Sequence, residues 1–133
     1  VLRFPNLNFS YSGGEKLIFW WLGKCTAEGS TSYLMGDGFS TTYPGVQVRV
    51  SSTQKLQVVL YDPSASAVFS GSSTSSPFDG ALHSIGVVID GAAKKYAFWV
   101  DGALDALTSG GYLAFGDSTA INTTNANTWN LGQ

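Results

Sequence analysis

Apolar and polar residues alternate along much of this chain with a period of two. The clearest run is Val46-Gln47-Val48-Arg49-Val50, where every second side chain is apolar, the pattern of a strand with one buried face. Segments rich in aromatic and β-branched residues at 16–22, 31–35, 46–50, 55–61, 82–89, 94–100 and 128–131 are predicted to be strands. Turn-forming pairs separate them, among them Gly13-Gly14, Pro44-Gly45, Asp62-Pro63, Asp79-Gly80, Asp90-Gly91, Asp101-Gly102 and Gly110-Gly111, and leave room for short strands only. No long segment carries an apolar repeat of helical period, and the most helix-like stretch, 102–107, amounts to one turn at most.

The chain is therefore expected to be all-β. Strands in this number must bury one face against a second sheet or close on themselves, so a two-sheet antiparallel β-sandwich (jelly roll) is predicted, with a barrel as the alternative. Residues 64–76, rich in Ser and Ala, read as a weak edge strand between loops, with Val68 and Phe69 as its pairing residues. In Phe19-Trp20-Trp21 apolar side chains fall on both faces, as in a central strand covered on each side, which predicts Phe19 and Trp20 in the core. Neither an internal repeat nor a linker divides the sequence, and residues 1–133 read as a single domain.

Composition narrows the function classes. At 133 residues, one core without metals or disulfides is expected. Only 12% of residues are charged, about half the usual share, so the surface must be built largely from Ser, Thr, Asn and Gly. Such a surface suits an extracellular or virion protein. The net charge is -2 and the basic residues are scattered, with Lys94-Lys95 the one adjacent pair, which argues against a nucleic-acid partner. The longest apolar run, 17–22, is too short to span a bilayer, so no membrane insertion is expected. The chain opens with neither Met nor a signal sequence, which suggests a processed chain or a domain of a larger protein or assembly. Cys25 has no second cysteine to pair with and reads as a small buried thiol.

Residues 78–91 read Phe-Asp-Gly-Ala-Leu-His-Ser-Ile-Gly-Val-Val-Ile-Asp-Gly, and residues 96–102 read Tyr-Ala-Phe-Trp-Val-Asp-Gly. Together they resemble the hairpin of laminin G-like and pentraxin-like domains of the concanavalin A-like superfamily. His83, Ile85, Val87, Ile89, Asp90, Gly91, Trp99, Val100, Asp101 and Gly102 stand where that pattern has them, with Leu82 in place of its Trp. Residues 16–24, 33–38 and 128–132 look like the flanking strands. The resemblance implies the concanavalin A-like jelly roll and a role in adhesion or carbohydrate binding, although the wider fold also includes virion proteins and glycoside hydrolases.

A hydrolase of that fold needs two carboxylates projecting from one strand. The only glutamates are Glu15 and Glu28, and neither has an acidic neighbour at strand spacing. His83, the only histidine, matches a position that supports the hairpin, and no Gly-x-Ser-x-Gly elbow is present. The reading is that the chain is not an enzyme. For calcium, which the resemblance makes plausible at the loop rim, Asp37, Asp62, Asp117 and Asn122 stand in loops that could supply oxygen ligands, with Asp37 and Asp117 the leading pair. Glycan binding calls for exposed aromatic faces and nearby amides. Loops 36–44 and 116–127 combine them, offering Phe39, Tyr43, Asn122 and Asn125, and Trp129 stands just beyond. Trp99 alternates away from Phe98 and Val100, which makes it a candidate stacking platform. Asn8 and Asn122 begin N-x-Ser/Thr sequons. The expected function is a non-catalytic module that binds a carbohydrate, a cell-surface feature or a partner protein, with oligomers within a larger assembly as an option. The alternative is a structural virion component, a decoration, capsid or tail protein whose jelly roll packs against neighbouring subunits.

Overall fold

A computed structural model describes residues 2–4, 16–26, 29–37, 45–61, 67–90, 93, 95–105, 113–114 and 129–131. They form eleven strands: β1 Leu2–Phe4, β2 Lys16–Thr26, β3 Ser32–Asp37, β4 Val46–Val50, β5 Leu56–Tyr61, β6 Ala67–Ser72, β7 Asp79–Asp90, β8 Lys95–Val100, β9 Ala103–Leu104, β10 Leu113–Ala114 and β11 Trp129–Leu131. The first sheet runs β1-β11-β3-β4-β5-β6 and the second β10-β8-β7-β2, with β9 added to β8. Every pairing is antiparallel. The architecture is the predicted sandwich of two sheets rather than the barrel.

Period-two alternation places the core. Val46, Val48 and Val50 of β4 and Leu56, Val58 and Leu60 of β5 turn inward from the first sheet, and Phe19, Ile85, Val87, Ile89, Tyr96 and Phe98 meet them from the second. Phe78, on the connection between the sheets, joins the same cluster. Each such side chain contributes on the order of 1.5–3 kcal/mol by leaving water. Tyr96 and Phe98 meet edge to face at 5.3 Å. The β8–β9 hairpin closes in two residues, Asp101 at φ 51° and Gly102 at φ 79°, the paired positive φ of a type I′ turn that Asp-Gly tolerates.

Three sequence expectations change. Trp20 is 55% exposed while Phe19 is buried, because Phe19 faces the first sheet and Trp20 faces the outer side of the second, where Leu82 of β7 and Leu104 of β9 are exposed as well. Asp79 and Gly80, expected as a turn, begin β7, where the pairing with β2 shifts register between Lys24 and Thr26. In the stretch 102–107 the described residues carry strand β9 instead of a helical turn. Residues 64–76 do hold an edge strand, β6.

Two polar clusters pin the segments that leave the sheets. Asp105, 4% exposed, accepts bonds from the backbone N–H of Thr74 (2.6 Å) and Ser75 (3.0 Å), from Thr74 Oγ1 (2.8 Å) and from the Ser75 hydroxyl. Its own N–H donates to the Phe98 carbonyl at 2.9 Å. Burial pushes the Asp105 carboxyl upward, but the bonds from Ser75 and Thr74 together outweigh it and hold the group below its ordinary value. Lys55 adds bonds from Nζ to the carbonyls of Ser73 (3.3 Å) and Thr74 (2.9 Å). The crossover from β6 to β7 is thereby tied to both sheets.

The second cluster surrounds His83. Its Nδ1 lies 2.8 Å from Asp101 Oδ2 and its Nε2 3.0 Å from Asp79 Oδ1, while Asp101 Oδ1 accepts the Ser84 N–H at 3.0 Å. The bond to Asp101, then that to Asp79, raises the imidazole above its ordinary value. Asp101 is lowered chiefly by His83, and Asp79 by the Ala81 N–H and then by His83. His83 is the clamp that joins the start of β7 to the turn after β8.

Replacing Asp105 with Ala is expected to cost about 2–3 kcal/mol in urea unfolding, since several donors lose a charged acceptor. A depressed carboxyl stabilises above its unfolded value, ordinarily 3.8, so this contribution is lost as pH falls through the lower folded value. For the His83 clamp the signs combine. The raised imidazole stabilises fully below its ordinary 6.5 and loses that effect as pH rises through the folded value, while the two depressed carboxylates act above 3.8. Melting temperatures of the parent and His83→Gln should therefore differ most between about pH 4 and 6.5 and converge toward pH 9. A constant gap across that range would exclude a charged clamp.

Candidate functional site

The two outer faces of the sandwich differ in chemistry. On the first sheet, the alternation that buries Val48 and Val58 turns Arg49 and Gln57 outward as register partners. Tyr33 of β3 pairs with Arg49, and Ser72 of β6 pairs with Gln57, so Tyr33, Arg49, Gln57 and Ser72 form one row across four strands. Arg49 Nε donates to Gln57 Oε1 at 2.7 Å, and Gln57 Nε2 donates to Ser70 Oγ (3.1 Å) and Ser72 Oγ (3.3 Å). Alongside, the Tyr61 hydroxyl donates to Gln47 Oε1 at 3.3 Å. Gln47 is buried, and Tyr33, Arg49, Gln57 and Tyr61 are half-buried.

Arg49 is the electrostatic centre of this face. Among the described residues its one side-chain bond is through Nε to Gln57, and no carboxylate lies within ion-pair distance of it. A half-buried guanidinium held at Nε, with its terminal amino groups left over, can accept an anion end-on with two parallel N–H bonds. The surrounding amides, hydroxyls and tyrosine rings suit the hydroxyls and apolar faces of sugars.

The second sheet presents the opposite character. Trp20, Gly86, Trp99 and Leu104 follow one another as register partners across β2, β7, β8 and β9. A Cβ on Gly86 would lie 2.6 Å from Trp20 Cε3 and Cζ3 and 3.3 Å from Trp99 Cβ, so the bare glycine lets the Trp20 ring lie against the sheet beside Trp99. Ile18, Leu22 and Leu82 are exposed on the same face.

Of the residues proposed from sequence, Trp99 is half-buried in this apolar row. Asp37 ends β3 and is the backbone partner of Trp129 in β11, which brings those two positions side by side; their side chains lie outside the described residues. Phe39, Tyr43, Asp62, Asp117, Asn122 and Asn125 also lie outside the described residues. Among the described residues no group of three His, Cys, Asp or Glu is placed to hold a metal, and His83 already engages both ring nitrogens. Cys25 is half-buried against the core. Arg49, Gln57 and Tyr33 were absent from the sequence-derived site, although the alternation at 46–50 already turns Arg49 outward.

No protein-family model matches the sequence, and no curated protein matches it. Solved structures do match the fold. The CBM40 of a Ruminococcus gnavus IT-sialidase, bound to α2,6 sialyllactose, superposes with a TM-score of 0.65 at 13% identity, over 88% of this chain and 64% of that one. The same module bound to α2,3 sialyllactose gives 0.65 at 12% identity, over 98% and 74%. Botulinum neurotoxin type C, a toxin that depends on interaction with two ganglioside molecules to get into cells, gives 0.59 at 13% identity, over 89% of this chain and 27% of the toxin chain. At such identities the likeness is one of fold: this chain shares its two-sheet β-sandwich with those proteins.

Proposed function

We propose that the chain is a non-catalytic carbohydrate-binding module of the concanavalin A-like type, acting outside the cell or on a particle surface, and that it binds a carboxylate-bearing sugar on the outer face of its first sheet. The observation that carries this reading is the row Tyr33, Arg49, Gln57 and Ser72, with a guanidinium anchored at one nitrogen and lacking a carboxylate partner among the described residues. Arg49 takes the sugar carboxylate through its terminal amino groups. Gln57, Ser70 and Ser72 bond ring hydroxyls, and Tyr33 and Tyr61 line the apolar side of the ring. The sialyllactose and ganglioside named for the structural neighbours are acidic glycans and agree with this choice. None of these neighbours is a virion protein, and the virion alternative gains nothing from them.

Calorimetric titration with sialyllactose and with lactose tests the reading. Sialyllactose is expected to bind and lactose to bind at least tenfold more weakly, and Arg49→Ala should weaken sialyllactose roughly 10–100-fold, the worth of a charged hydrogen-bonded contact of about 1.5–3 kcal/mol. The melting temperature should barely move, because Arg49 is half-buried and outside the core. Equal affinity of parent and variant would remove Arg49 from the site, and silence toward acidic glycans would sink the proposal. Repeating the titration in calcium and in chelator tests the expectation placed on Asp37 and Asp117.

A further inference from the structure

All five large hydrophobic residues exposed among the described residues, Ile18 (64%), Trp20 (55%), Leu22 (67%), Leu82 (59%) and Leu104 (37%), lie on the outer side of the second sheet, and three of them belong to β2. Taking about 200 Å² for a large side chain, they expose on the order of 500–600 Å² of apolar surface. That is at the top of what a monomer ordinarily shows.

The edge of the same sheet supplies a directional contact at which a partner strand would meet the flanks of the β2 side chains. Edge strands are commonly kept short, bulged, or interrupted by charge or proline. Among the described edges, β10 has two residues, β1 three, and β6 six with a register shift beside it. By contrast, β2 has eleven, its register shift falls near its end between Lys24 and Thr26, and its stretch Leu17-Ile18-Phe19-Trp20-Trp21-Leu22-Gly23, between Lys16 and Lys24, contains no charge and no proline. Among the described residues it pairs only with β7.

We infer that β2 pairs with β2 of a second copy of this chain, antiparallel about a two-fold axis, so that the two second sheets become one and the outward side chains of the two β2 strands pack flank to flank across the seam. A two-fold contact is self-complementary by construction. Register is restricted, because outward residues must face outward residues. Centring the pair on Trp20 sets Lys16, which bonds Asp90 at 2.9 Å, against the partner's Lys24, so that two lysines share one carboxylate. Centring it on Trp21 removes this: Trp20 faces the partner's Leu22, Ile18 faces the partner's Lys24, and Lys16 faces the partner's Thr26, whose neighbour across the ladder is the exposed Asp79. The charge pattern selects the second register.

Light scattering and sedimentation of the 133-residue chain at micromolar concentration should give twice 14.1 kDa. Ile18→Lys, which puts like charge against the partner's Lys24, should raise the dissociation constant at least tenfold. Ile18→Glu, which offers that lysine a carboxylate, should keep the dimer at low salt and weaken it as salt rises. Leu22→Lys should also dissociate it, and since both positions are exposed, the melting temperature at monomeric concentration should hold. A parent that stays monomeric overturns the inference and leaves the face to another occupant. A dimer indifferent to Ile18→Lys and Leu22→Lys overturns it as well, as does Ile18→Glu dissociating as readily as Ile18→Lys.

Discussion

The structure depends on period-two burial across a few adjacent strands. Val46, Val48 and Val50 against Leu56, Val58 and Leu60 form one inner surface, and Ile85, Val87 and Ile89 with Tyr96 and Phe98 form the other. Once those residues are committed inward, the residues between them have no choice of side, since a slip of one position would expose the whole set. Arg49 and Gln57 are neighbours because Val48 and Val58 are buried, and Trp20 meets Trp99 across Gly86 because Phe19 and Val87 are. Both outer faces are consequences of one core.

The faces then diverge through a few side chains. On the first sheet the outward row is a chain of hydrogen bonds from guanidinium to amide to hydroxyls. On the second it contains a glycine, and the space this leaves is filled by an indole lying against the backbone. A ring packed over a glycine leaves the rest of its surface as an apolar patch, which suits association and lacks the spaced donors that fix a sugar's orientation. The polar face is therefore the better place for a glycan and the apolar one for a protein surface.

Much of the fold was legible in sequence. Alternation and Asp-Gly turns located the strands, and the hairpin resemblance placed His83 where it now bridges Asp79 and Asp101. Trp20 was misplaced because periodicity assigns a residue to a side of its strand but cannot say whether anything covers that side; a strand apolar on both sides reads as covered on both. The site was less legible still. Loop composition pointed to aromatics and amides at 36–44 and 116–127, of which Phe39, Tyr43, Asn122 and Asn125 lie outside the described residues; Arg49 and Gln57 are eight residues apart and become neighbours only through the register that the Ser51–Lys55 turn sets. Single-sequence patterns show which residues face out, and pairing decides which of them meet.

That register also bears on how Arg49 would act in the proposed recognition. A long charged side chain ordinarily loses rotamer freedom when it binds, a cost that offsets much of the contact. Arg49 has already lost part of it, because Nε is held by Gln57, which is itself held by Ser70 and Ser72. The chain is also poor in charge, so few neighbouring groups compete for the guanidinium or screen it. A pre-positioned cation on a nearly uncharged, hydroxyl-rich face discriminates by the sign of its ligand first and by the arrangement of hydroxyls second.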